Sequence, residues 1–108
     1  MNVKPSESPL ACNLAAMDPS RRDRHHFLIQ QWTRAIQDVQ ELPDGYAFRF
    51  ELDDSLWVAL AEYITLERRC CPFLEFTLKL DPKGGPIRLL LTGCEGVKEL
   101  IRSEFALV

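Results

Sequence analysis

Three runs in the chain alternate apolar and polar side chains, and they restrict the fold more than any other feature. Tyr46, Phe48, Phe50 and Leu52 alternate with Ala47, Arg49 and Glu51; Leu74, Phe76, Leu78 and Leu80 alternate with Glu75, Thr77 and Lys79; Ile87, Leu89 and Leu91 repeat the pattern. A period of two is that of a strand with one covered face. Three such strands call for one sheet with helices packed on a single side. Asp81-Pro82-Lys83-Gly84-Gly85-Pro86 reads as a hairpin loop joining the second run to the third. A helical stretch separates the first run from the second, so those two strands are expected to be parallel. The third is expected to slot between them antiparallel, giving order 1-3-2 as in a split strand-helix-strand unit; order 1-2-3 is the alternative.

The helices complete an α+β two-layer sandwich with element order α-β-α-β-β-α. Asp18-Pro19 is a helix start, an N-cap acid before a proline at the first helical position. Its apolar stripe is Leu28, Trp32, Ala35, Ile36, Val39 and Leu42, which predicts a helix to about Glu41, stopped near Pro43. Carried backwards, the stripe brings in Arg21 and, nearer its edge, His25. Residues 55 to 71 read as the second helix, ended by Pro72. Thr92-Gly93-Cys94-Glu95 has the form of a capping box, predicting a last helix from about Cys94 to Phe105. The first strand carries no proline to blunt it, so pairing between two copies in a homodimer is an expectation.

Composition bounds the rest. A chain of 108 residues makes one domain, and 46% hydrophobic content suits a packed core. Residues 1–9, with Pro5, Ser6, Ser8 and Pro9, read as a flexible tail; residues 10–108 read as the domain, opening on a short arm that carries Cys12. A net charge of −3 gives no electrostatic case for nucleic acid. No apolar run reaches membrane-spanning length, and residues 1–17 lack the pattern of a signal peptide. The expectation is a cytoplasmic protein with reduced thiols.

Chemistry concentrates in Glu67-Arg68-Arg69-Cys70-Cys71-Pro72-Phe73-Leu74-Glu75-Phe76. At about 100° per residue, Leu56, Leu60, Tyr63, Cys70 and Cys71 fall on one arc of the second helix, and Glu67 projects to its middle. Such an arc faces the core, and a carboxylate is costly to bury unless paired. Glu67 is therefore paired, protonated or at the lip of an opening. The expected partner is a basic side chain of the first helix, Arg21 first and His25 second. Cys70 and Cys71 sit at a helix C-terminus, where the dipole opposes thiolate formation, and Arg68, Arg69 and Arg21 are the cations available to offset it. A direct Cys70–Cys71 disulfide would close a strained ring. Cys94, near a helix start, is placed for a depressed pKa, but reads better as a small buried hydrophobe. No cysteine spacing matches a structural zinc motif; a thiophilic ion that needs only two thiolates fits better.

Cys12-Asn13-Leu14, Arg21 and Arg22, Gly45-Tyr46-Ala47-Phe48, the segment Glu67-Arg68-Arg69-Cys70-Cys71-Pro72-Phe73-Leu74 and Leu91-Thr92-Gly93 together resemble a family of short bacterial proteins of uncharacterised function carrying Glu-Arg-x-Cys-Cys-Pro-Phe. The resemblance covers most of residues 10 to 102. It singles out the double-cysteine segment and implies no reaction. The family typically has proline where this chain has Cys94, which weakens any role for that thiol. The reading that results is a thiol-centred binding protein for a metal ion or small thiophilic ligand, with Cys12, Cys70, Cys71 and Glu67 around one point and Arg21 and His25 in support. A non-catalytic interaction module and a small thiol enzyme with Glu67 or His25 as base are the competing classes.

Overall fold

The computed structural model describes Ala15, residues 17–105 and Leu107; the expected tail over residues 1–9 and the arm around Cys12 lie outside the described residues. Three helices and a four-stranded antiparallel sheet make an α+β fold. In chain order the elements are α1 (Pro19–Arg34), β1 (Asp38–Leu42), β2 (Gly45–Phe50), α2 (Asp54–Cys70), β3 (Glu75–Leu80), β4 (Ile87–Thr92) and α3 (Val97–Glu104). The sheet order is β1-β2-β4-β3.

The three alternating runs become β2, β3 and β4, and β4 does lie between the other two, antiparallel to both. The expected three-stranded sheet is nevertheless one strand short. Residues 38–42, assigned above to the end of the first helix, form β1 and pair with β2 through Leu42 opposite Gly45. Val39 and Leu42 are three apart and mimic a helical stripe, and the five-residue strand has no alternation that would reveal it. The turn at Pro43–Asp44 closes a hairpin, and α1 ends at Arg34 instead, with Ala35 as its C-cap. Gly45 is required where β2 passes β4, because a Cβ there would run into the Leu91 carbonyl oxygen. With β1 on its outer side, the strand expected to offer a dimer edge is internal.

Each helix start is held by the side chain that its sequence supplies, except the last. Asp18 accepts from the Arg21 N–H at 2.9 Å and Asp53 from the Leu56 N–H at 3.0 Å. The predicted capping box is absent: α3 begins three residues later, with Gly96 in the left-handed region as its N-cap, and the Thr92 hydroxyl donates to Glu75 across the sheet at 3.2 Å instead. Arg102 and Lys98 of α3 reach Tyr46 and Glu41, fixing that helix over the β1–β2 side.

The core lies between the helices and one sheet face. Tyr46, Phe48, Phe50, Ile87, Leu89 and Leu91 are buried from below, with Leu28, Trp32, Leu60, Tyr63, Val97 and Ile101 above them. Trp32 is the hub: its ring meets Phe48, Phe50, Tyr63 and Phe105 at centroid distances of 5.1–6.1 Å, in tilted or edge-on geometry. The opposite face carries Arg49, Arg88, Thr77 and Lys79. No helix is long and apolar enough to cross a membrane among the described residues.

Truncating Trp32 to alanine should cost about 3–5 kcal/mol, the range for a buried large aromatic. Val58→Ala, on the exposed side of α2, should stay within about 0.5 kcal/mol. Urea unfolding of both variants checks the contrast.

Candidate functional site

The start of α1 meets the end of α2, and between them lies a polar cluster cut off from solvent. Helical spacing puts His25, Leu28 and Trp32 on the inner stripe of α1, and Tyr63, Glu67 and Cys70 on that of α2. Outside the cluster, Arg24 clamps Glu62 through two contacts of 2.7 and 2.8 Å, which holds the helix pair in register at the surface.

Glu67 is fully buried and its carboxylate is hydrogen-bonded on both oxygens. His25 Nε2 lies 2.9 Å from Oε1, the Cys70 thiol donates to the same oxygen at 3.0 Å, and the Tyr63 hydroxyl donates to Oε2 at 2.6 Å. A carboxylate only accepts, so the proton of the first contact sits on His25 Nε2. The His25 ring stacks on Tyr63 at 5.8 Å. Burial pushes the Glu67 carboxyl up, but the hydrogen bonds from His25, Tyr63 and Cys70 outweigh it and hold the carboxyl below its ordinary value. The donors respond in the opposite sense. Burial first, and then the charge of Glu67, keep Tyr63 protonated well above the usual tyrosine range. Burial and the hydrogen bond to Glu67 likewise push the Cys70 thiol far up. A thiol so placed is the reverse of an activated nucleophile.

Of the residues picked from sequence, the fold brings Glu67, His25, Cys70 and Cys71 together. The Cys71 sulfur lies 3.6 Å from Glu67 Oε1 and 3.8 Å from the Cys70 sulfur. Cys71 is disulfide-bonded and Cys70 is a free thiol, so the expectation of uniformly reduced cysteines is corrected, while the avoidance of a Cys70–Cys71 bond agrees with its strain. Cys12 lies outside the described residues. Arg21, the first-choice partner of Glu67, stays in solvent beside Asp18 at 3.7 Å. Drawing a guanidinium inside would desolvate a fixed charge, whereas an imidazole can enter neutral. Arg68 and Arg69 are exposed. Cys94 is exposed rather than buried, and it precedes α3 instead of lying in its first turn.

Two members of the cluster escape sequence reasoning. Tyr63 reads there as an apolar arc residue; its place one turn before Glu67 is the available signal. Glu104, at the end of α3, has none. Although exposed overall, it brings a carboxylate oxygen within 4.8 Å of Glu67 and Cys71 ligand atoms, and burial together with the Glu67 charge raises its carboxyl to about 7. His25, Glu67 and Cys70 form a second group of three metal-ligating side chains within the same 4.8 Å, all buried. Comparison with protein-family models, with curated proteins and with solved structures finds no match.

Glu67→Gln should destabilise the protein by about 3–5 kcal/mol at neutral pH, as expected when one member of a buried, charge-assisted cluster is removed. The Glu67 carboxyl lies below its ordinary value of 4.5 in the folded state, so its contribution is full above that value and is lost as pH falls through the depressed one. The gap between parent and variant in urea melts should therefore be wide at neutral pH and shrink below about pH 4.5.

Proposed function

We propose that this protein binds a thiophilic divalent metal ion, with Zn(II) the best fit, at the point ringed by His25, Glu67 and Cys70. The observation that carries the proposal is the convergence of one nitrogen, one oxygen and one sulfur ligand, all buried, within 4.8 Å. A mixed set of this kind suits a borderline ion better than a soft monovalent one. The absence of a cysteine spacing motif does not count against it, since the ligands come from two helices.

Contacts of 2.9–3.0 Å around Oε1 are those of shared protons. Four-coordinate zinc, with bonds of about 2.0–2.3 Å, sets its ligand atoms roughly 3.3–3.7 Å apart. The ion would replace the Cys70 proton, while the His25 proton moves to Nδ1 and frees Nε2. A thiolate and a carboxylate together balance the double charge of the ion. Tyr63, still donating to Glu67, would orient that ligand from behind. Cys71 stands next to the same point and becomes available as a fourth ligand once a dithiol reductant has taken over its disulfide. Cys12, expected from sequence as a ligand, lies outside the described residues. Loss of the Cys70 proton on binding makes affinity rise with pH, about tenfold per unit for each proton released.

The test is titration of the reduced protein with Co(II), whose thiolate charge-transfer band reports sulfur ligation. One tight equivalent is expected in the parent and in Cys94→Ser, with the band weakened in Cys70→Ser and lost when Cys71→Ser is added to it, and affinity lowered at least ~10-fold in His25→Ala, as for loss of one ligand. No binding, or equal binding in all these proteins, would contradict the proposal and leave a non-catalytic interaction module as the better account.

A further inference from the structure

The two edges of the sheet differ in kind. Edge strands are templates for pairing unless something blunts them. β1 carries Asp38 and Glu41 and no basic residue, and Glu41 is already held by Lys98 at 2.9 Å. Two copies of β1 set antiparallel about Gln40 would place Val39 against Glu41 and Asp38 against Leu42, apolar against acidic at every pair but the central one. β3 is the opposite case. Among the described residues it pairs with β4 alone, and its sequence Glu75-Phe76-Thr77-Leu78-Lys79-Leu80 is complementary to itself.

Set antiparallel about Thr77, two copies of β3 place Glu75 opposite Lys79 twice, with Thr77 facing Thr77 on the axis. These residues share the outer face, where Glu75, Thr77 and Lys79 are exposed. On the core face the same register places Phe76 opposite Leu78 twice, and just beyond them Leu74 opposite Leu80. Phe76 and Leu78 are only half-buried within one chain, and Leu80 is 47% exposed. Cross-strand pairs of opposite charge and of aromatic with aliphatic side chains are the favourable units of an antiparallel sheet. A register shift of one residue would move all of them to the wrong faces.

We infer that β3 is the interface at which a second copy of this chain docks, joining two sheets edge to edge about a two-fold axis through Thr77. The contact is isologous and therefore closed, so it stops at the dimer instead of growing into a filament. It replaces the expected dimer edge, which the fold buries as β2, and it is independent of the metal proposal.

Sedimentation equilibrium of the full chain over a concentration series tests it. A dimer of the 12.4 kDa chain is expected. Glu75→Lys brings a second positive charge opposite Lys79 at both symmetric positions and should weaken association by roughly tenfold or more. Lys79→Glu should do the same, and the double exchange Glu75→Lys with Lys79→Glu should restore it, which a variant that merely misfolds would not. Thr77→Lys, two like charges on the axis, should give monomer with an unchanged circular dichroism spectrum. The inference is overturned by a monomer persisting to about 1 mM, where a millimolar pairing would be half-formed. A dimer unmoved by the β3 charge changes, or one lost in Gln40→Lys instead, would also overturn it.

Discussion

A carboxylate that loses all contact with water must be met by donors, and that requirement organises the helical layer of this protein. Glu67 has no exposed surface, so each of its oxygens needs protons supplied from inside. Two of the three donors, Tyr63 and Cys70, come from its own helix at offsets of four and three, where helical geometry delivers them without any tertiary arrangement. The third, His25, must come from α1, and it can do so only if the start of α1 lies against the end of α2. That hydrogen bond of 2.9 Å, with the Arg24–Glu62 clamp at the surface, ties the two helices together. The apolar contacts follow from it, since the same face of α1 then sets Trp32 into the ring of aromatics above the sheet.

The polar cluster does the opposite of what a reactive thiol site requires. Burial and the anionic neighbour keep Cys70 and Tyr63 protonated, so each stabilises the carboxylate and neither is primed to attack a substrate. The ion proposed above would have to displace the Cys70 proton that these features hold, and only the convergence of the ligand atoms favours it. Three ligand atoms already converge, the oxygen is already ionised, and the desolvation cost of gathering them is met by the fold. Cys71 is disulfide-bonded, and its sulfur lies 3.8 Å from that of the free Cys70 thiol.

What can be read from the chain follows the range of the physics involved. Alternation at period two shows the faces of β2, β3 and β4, while the intervening helix leaves two orders open for those strands, 1-3-2 and 1-2-3. The anomaly at Glu67 is legible because a carboxylate within an apolar arc is a local contradiction. The choice between Arg21 and His25 is not legible, because both lie on the same extended stripe and the decision rests on the cost of desolvating a permanent cation. β1 escapes notice because Val39 and Leu42 fit a helix as well as a strand over so few residues. Glu104 escapes it because only the folded chain brings the end of α3 to the end of α2. The pairing symmetry of β3 lies in six consecutive residues, yet it acquires meaning only once the topology leaves that strand at an edge.

The central claim is that Glu67 is a buried, ionised acceptor held by donors from both helices. It is tested most directly by following the Glu67 side-chain carboxyl carbon by NMR through an acid titration of the folded protein. The account predicts an inflection below the ordinary value of 4.5, moving upward in His25→Phe as one donor is lost. An inflection above 4.5 in the parent, or one unmoved by His25→Phe, would mean that the carboxyl is buried neutral or satisfied otherwise, and would contradict the account.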